Sequence, residues 1–262
     1  MFISVLALFK IGIGPSSSHT LGPMVAANDF ITHIIDQKLT SPSKKESYIR
    51  CTLKGSLAFT GKGHSTDNAV ALGLHGYLPA SLADKDIASV VKQTQESDHI
   101  CIHKNLRILF NPNDHIIFDK GDPLPEHPNG MIFELINSDN KTLYSETYFS
   151  IGGGFINTLA EISQLQAPLK MESTALCKYP FDSAKAMLQM ASDSHISIAQ
   201  MKRMNELEQY TESTLIDGMD KIWKAMQTCL EKGLKTEGIL PGGLGISRRA
   251  KGLYQSLKNN PD

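Results

Sequence analysis

From residue 20 to 38 apolar side chains recur at helical spacing: Met24, Ala27, Ile31, Ile34 and Ile35 share one face. Pro23 is tolerable there because it falls in the first turn. The period then changes to two. Ile49, Cys51, Leu53 and Leu57 alternate with Arg50, Thr52, Lys54 and Ser56, which predicts a half-buried strand. Gly61, Lys62, Gly63 and His64 interrupt it, and Ser65, Thr66 and Asp67 stand where they can cap a short helix through Ala69, Val70 and Leu72 to Gly76. Further strands are predicted over 106–110, 131–137 and 142–151. The polar turn 138–141, with Asp139 and Asn140, should join the last two as an antiparallel hairpin.

Strand character disappears after Gly152, Gly153 and Gly154, a run that reads equally as a hinge or as a point of close backbone approach. Residues 164–182, with Pro168 and Pro180, read as a linker or irregular crossing segment. Helical patterning follows. Leu215, Met219, Ile222, Met226 and Cys229 form one stripe, with Ile216, Trp223 and Leu230 beside it, and Gly233 stands where a C-cap would. Such a broad stripe needs a partner surface. The segment Leu240-Pro241-Gly242-Gly243-Leu244 reads as a turn before another helix over about 248–258. Helices and hairpins without regular βαβ alternation predict an α/β (α+β) sandwich with a mixed or antiparallel sheet, then an all-α segment. The expected domains are 1–160 (α/β), 161–180 (linker) and 181–262 (helical).

A chain of 262 residues can bury one large core or two modest ones, and 41% hydrophobic residues make it an ordinary globular protein. A net charge of −1 provides no field for nucleic acid or an acidic membrane. The short basic run Arg248, Arg249 and Lys251 reads as a solvated helix face. The apolar start, residues 1–9, lacks the basic flank and cleavage site of a signal peptide, and no stretch approaches a membrane span. A cytoplasmic protein is expected. Cys51, Cys101, Cys177 and Cys229 show no CxxC spacing and hence no local metal signature. Cys51 and Cys229, on apolar patterns, are expected to be buried thiols.

Two segments could carry chemistry. Gly12-Ile13-Gly14-Pro15-Ser16-Ser17-Ser18-His19-Thr20 turns tightly into the first helix and brings hydroxyl and imidazole groups to its unpaired N–H groups. Such a start can bind a carboxylate or phosphate, or it is a hydroxyl-rich N-cap with an incidental histidine. It is not a P-loop, because no Lys-Ser/Thr pair follows. The second segment, Thr60-Gly61-Lys62-Gly63-His64-Ser65-Thr66-Asp67, repeats the logic. If both serve one cleft, His19 and His64 should lie within about 10 Å of each other, and either imidazole could abstract a proton. His75, His99, His103, His115, His127 and His195 have no comparable setting.

The segment from Phe9 to Met24 that contains the first loop resembles the opening signature of the bacterial iron–sulfur L-serine dehydratases. The second loop, Tyr148-Phe149-Ser150-Ile151-Gly152-Gly153-Gly154-Phe155-Ile156 and Thr236-Glu237-Gly238-Ile239-Leu240-Pro241-Gly242 agree in order. The resemblance spans essentially the whole chain, as a β domain and the start of an α domain. It implies a lyase that converts L-serine to pyruvate and ammonia, feeding gluconeogenesis, with a [4Fe–4S] cluster on three cysteines and without pyridoxal phosphate. It places the substrate carboxylate on Ser16, Ser17, Ser18, His19 and Thr20, and His19 and His64 beside the reacting carbons. The family's cluster cysteines lie beyond the Pro241-Gly242 segment and match none of the four here, so no metal ligand is carried over. The chain is therefore expected to be an incomplete single-chain enzyme, a homo-oligomer, and by itself without cluster or turnover. The alternative is a non-catalytic serine-binding module, or a β subunit that needs a separate α subunit.

Overall fold

A computed structural model describes residues 2–39, 47–82, 85–101, 107–164, 177–240 and 245–259, with Cys101 by its backbone alone. Residues Leu106, His103, Pro168, and the Pro241 to Leu244 turn named above lie outside the described residues. The chain divides into two compact units, Ile11–Gln164 with Gly233–Asp262, and Met1–Lys10 with Leu165–Lys232.

The larger unit is a mixed sheet covered by helices. After the short helix α1 (Val5–Leu8), which belongs to the other unit, a π-helical turn (Ser17–Leu21) leads into α2 (Gly22–Asp36). Next come β1 (Tyr48–Leu53), α3 (Ser56–Thr60), a 3₁₀ turn (Gly61–His64), α4 (Thr66–Leu74) and α5 (Ile87–Glu96). The short β2 (His99–Cys101), β3 (Arg107–Leu109), α6 (Pro112–His115) and β4 (Ile116–Phe118) follow. β5 (Gly130–Ile136), β6 (Thr142–Gly152), β7 (Phe155–Thr158) and α7 (Leu159–Gln164) complete the sheet side. The strand order is β2-β3-β1-β5-β6-β7, with β4 also on β1. β1 runs antiparallel to β5, pairing Cys51 with Phe133, and parallel to β4, pairing Cys51 with Ile116.

The predicted hairpin forms, β5 against β6 with Met131 opposite Tyr148. Phe30, Ile31 and Ile34 of α2 and Val70, Ala71 and Leu74 of α4 meet Ile49, Cys51, Phe133 and Leu135 of the sheet in one buried core. The opposite side of α4, through Ala69 and Leu72, joins Met24 and Leu82 in a second cluster flanked by Val90 and Val91 of α5. Burying apolar area on both sides ties α4 to its neighbours at about 25 cal/mol per Å².

Three local expectations need correction. The alternation over 49–57 does not continue as strand: β1 stops at Leu53, and Gly55 takes φ +57°. A Cβ there would lie 2.3 Å from the Pro128 carbonyl oxygen, so glycine alone fits, and Ser56 and Leu57 begin α3. Ser65 does not cap α4 through its side chain; it adopts left-handed φ +54°, and Asp67 pairs with Lys62 at 2.6 Å. Strand character does not end at the triple glycine. Gly152, Gly153 and Gly154, all at positive φ, turn the chain back so that β7 pairs antiparallel with β6.

The smaller unit is helical, with α8 (Ala184–Ser194), α9 (Ile198–Leu207) and most of α10 (Glu212–Lys235). The start of the chain is built into it: buried Glu206 accepts the Val5 N–H at 2.7 Å and pairs with Lys202 at 3.0 Å. Tyr179 is held by both ends of the Asn205 side-chain amide. α10 continues past Gly233, where an added Cβ would meet open space; a glycine in an exposed helix costs only about 1 kcal/mol, too little to stop it. Cys229 is exposed rather than buried, because of the stripe only Leu215 is buried and Ile222 half-buried, while Met219, Trp223, Met226 and Leu230 face outward. Of the basic run, only Lys251 lies in the last helix, α11 (Ala250–Asn259), where it pairs with Glu237. No helix among the described residues is long and apolar enough to cross a membrane.

Candidate active site

The two loops singled out in the sequence meet at the starts of α2 and α4. Those helices pack closely: a Cβ on Gly73 of α4 would stand 2.3 Å from the Met24 carbonyl oxygen and 2.7 Å from Ala27 Cβ of α2. Their N-termini are then locked by a reciprocal pair of hydrogen bonds. Thr20 Oγ1 donates to the His64 carbonyl at 2.9 Å, and Thr66 Oγ1 donates to the His19 carbonyl at 2.5 Å. Both threonines are fully buried, where an unmade hydrogen bond is costly, so each hydroxyl fixes the other loop's histidine backbone.

This lock apposes the two imidazoles, with ring centroids 4.8 Å apart and planes tilted by 42°. The expected proximity of His19 and His64 is thus realised. Their surroundings differ. His64 Nδ1 lies 2.9 Å from the Thr60 carbonyl oxygen, which can only accept, so Nδ1 carries the proton and Nε2 holds the lone pair in the neutral ring. His19 is held at both nitrogens by hydroxyls, Nδ1 by Ser18 Oγ and Nε2 by Ser56 Oγ, each at 2.9 Å. Burial, and next the charge of His64, hold His19 below the usual histidine range, against a hydrogen bond with the Ser56 backbone that raises it.

Around His19 the hydroxyl run is partly engaged in its own turn. Ser16 is the N-cap, its Oγ accepting the His19 N–H at 3.2 Å and lying 3.4 Å from Ser18 Oγ. Thr20 Oγ1 also accepts the Ser16 N–H at 3.3 Å. The side chain of Ser17 is exposed. The backbone N–H groups of Ser17 and Ser18 have no partner among the described residues. Two free N–H groups at a helix start, flanked by hydroxyls, can accept a carboxylate.

The period-two alternation puts Ser56 on the outward side of a strand, and Thr60 and Thr66 stand in the second loop as a flank and a candidate cap; no signal along the chain marks their contacts with His19 and His64.

Four histidines of this unit, His19, His75, His115 and His127, are held below the ordinary value of about 6.5, in each case chiefly by burial. They are neutral in the fold and gain protons more readily once unfolded. Stability is therefore fully present above about pH 6.5 and is lost as pH falls from there through the lower folded values. Urea unfolding followed from pH 7.5 to 5 should show a falling midpoint; a flat or rising midpoint would contradict the burial of these rings.

The described residues do not fit an iron–sulfur cluster. Cys51 is buried in β1 with its thiol pushed far up by burial, Cys177 is half-buried and Cys229 exposed. No three His, Cys, Asp or Glu side chains among the described residues converge on one point.

The larger unit is thus a covered mixed sheet with two histidine loops apposed at adjacent helix starts. The family profile "Serine dehydratase beta chain" matches residues 4–161, and the chain belongs to that family. It is 36% identical over 259 residues to "L-serine dehydratase" of Haemophilus influenzae, covering 98% of this chain and 55% of that protein. It is 35% identical over 262 residues to the L-serine dehydratase of Streptomyces coelicolor, covering 100% and 56%, and 34% identical over 255 residues to L-serine dehydratase 1 of Escherichia coli, covering 97% and 54%. The chain thus spans about half the length of these relatives.

Proposed function

We propose that this chain supplies the substrate-carboxylate and proton-transfer half of an L-serine dehydratase, cytoplasmic and homo-oligomeric, that converts L-serine to pyruvate and ammonia. In this reading residues 1–160 are its β domain, 161–180 a linker and 181–262 the start of its helical α domain. The observation that carries it is the apposition of His19 and His64 beside the unpartnered N–H groups of Ser17 and Ser18.

The substrate carboxylate is bound by those N–H groups and by the exposed Ser17 hydroxyl, while Ser16, Ser18 and buried Thr20 shape the loop around it. His64 is the base: its Nε2 lone pair is free, whereas both nitrogens of His19 already face hydroxyls. His64 Nε2 takes the α-proton, the Cα–H electron pair forms the Cα=Cβ bond, the Cβ–O bond breaks, and the leaving hydroxide takes that proton back from the His64 imidazolium to depart as water. The resulting aminoacrylate tautomerises to an imine, which water converts to pyruvate and ammonia. No pyridoxal phosphate takes part. The [4Fe–4S] cluster implied by the family resemblance is assigned to ligands outside this chain. A β chain working with a separate α chain is the second reading, and the helical segment beyond residue 181 weighs against it.

Titration of the labelled 262-residue chain with L-serine tests the site. The Ser17 and Ser18 amides and both imidazoles should shift together and saturably. Unmoved Ser17 and Ser18 amides at saturating serine would sink the carboxylate assignment.

A further inference from the structure

The five-residue helix α3 touches both histidines. Its first residue, Ser56, reaches His19 Nε2 through Oγ at 2.9 Å, and its last, Thr60, receives His64 Nδ1 on its carbonyl at 2.9 Å. The helix is held at both levels. Gly55 ahead of it is at positive φ, the Ser56 N–H donates to the Pro128 carbonyl at 2.8 Å, and Thr60 Oγ1 donates to the Ser56 carbonyl at 2.9 Å. Ser56 Oγ is thus delivered to the imidazole by backbone that cannot easily shift.

On the other side of the ring His19 Nδ1 faces Ser18 Oγ, which in turn lies 3.4 Å from Ser16 Oγ, where either hydroxyl can donate. The chain in which Ser16 donates to Ser18 and Ser18 to His19 Nδ1 puts the ring proton of neutral His19 on Nε2, where Ser56 Oγ stands to accept it. His19 and His64 are left as opposite tautomers, Nε2–H and Nδ1–H, face to face.

We propose that Ser56 is a positioning residue: its hydroxyl accepts the His19 Nε2–H, fixes that tautomer and holds the ring at its tilt to His64. This rests on the reading of the two histidines as the reactive pair, but its test does not require serine to bind. The charged side chains of the His64 loop, Lys62 and Asp67, are paired with each other.

Nitrogen-15 imidazole spectra of the 262-residue chain report each tautomer separately. The unmodified chain should show His19 chiefly as Nε2–H and His64 as Nδ1–H. Ser56→Ala removes the hydroxyl from Nε2–H, leaving only the weaker reach of the backbone at residue 56, while Ser18 can still accept from Nδ1–H, so the His19 tautomer ratio should shift toward Nδ1–H by up to roughly fivefold, the equivalent of one ordinary net hydrogen bond. Ser56→Thr keeps a hydroxyl and should restore the ratio. His64, bonded to a backbone carbonyl, should keep its tautomer in all three proteins and serves as the internal control. An unchanged His19 ratio in Ser56→Ala, an Nδ1–H His19 in the unmodified chain, or a disturbance of both rings that Ser56→Thr does not correct would overturn the proposal. Absence of serine binding with this tautomer pattern intact would instead count against the proposed substrate.

Discussion

Replacing His64 by Gln is expected to lower serine turnover by about 10²–10⁴-fold, the usual contribution of a positioned general base. The assay uses this chain fused to the C-terminal half of its Haemophilus influenzae relative, of which the chain covers 55%. Gln preserves a donor toward the Thr60 carbonyl and about the same volume, so loop geometry should persist and serine affinity should change only a few-fold. The effect should therefore fall on kcat rather than on KM, as for an interaction made mainly in the transition state. The corresponding His19→Gln enzyme should be less impaired in kcat and more in KM, because His19 is hydrogen-bonded into the serine run of the carboxylate loop. Equal turnover by His64→Gln and the unmodified fusion would remove His64 from the base role.

Gly73→Val should be among the more damaging small substitutions in the α/β unit. Its Cβ would be forced to within 2.3 Å of the Met24 carbonyl oxygen and 2.7 Å of Ala27 Cβ, and a helix backbone cannot rotate away as a side chain would. The helices α2 and α4 must move apart, opening the cluster of Met24, Ala69 and Leu72. Overpacking of this kind typically costs about 1–3 kcal/mol, and a valine against backbone belongs at the upper end. For a unit of this size that is a fall in Tm of roughly 6–12 °C. Because α2 and α4 carry the two histidine loops at their starts, the Thr20 and Thr66 cross-bonds should loosen as well. Hydrogen exchange at residues 17–21 and 61–66 would then rise more than at the centre of the sheet. Thermal melting with the same midpoint as the unmodified chain would show that the helices are not in close contact at Gly73.

The sequence by itself determined the elements whose signal is local. The 3.6-residue period of Met24, Ala27, Ile31 and Ile34, the polar turn between β5 and β6, and the glycine- and hydroxyl-rich loops before two helices are each written within a few neighbouring residues. Hydrophobic periodicity and turn chemistry act over that range, so the α/β-then-α order and the two candidate histidines were legible. Strands of three residues, such as β2 and β4, are too short to show a period. β7 was hidden by three preceding glycines whose positive φ makes a hairpin rather than an end to the sheet. Cys229 lies on an apolar stripe, yet its exposure depends on which side of α10 other residues cover.

The tertiary structure alone decided how the site is held. Ser56 meets His19 across 37 positions, Thr20 meets the His64 carbonyl across 44, and Thr66 meets the His19 carbonyl across 47. A hydrogen bond between such distant residues leaves no pattern along the chain, because each partner is only one serine or threonine among many. It forms once burial of the α2 and α4 faces has brought their helix starts together, and only then do two separate histidines become a pair.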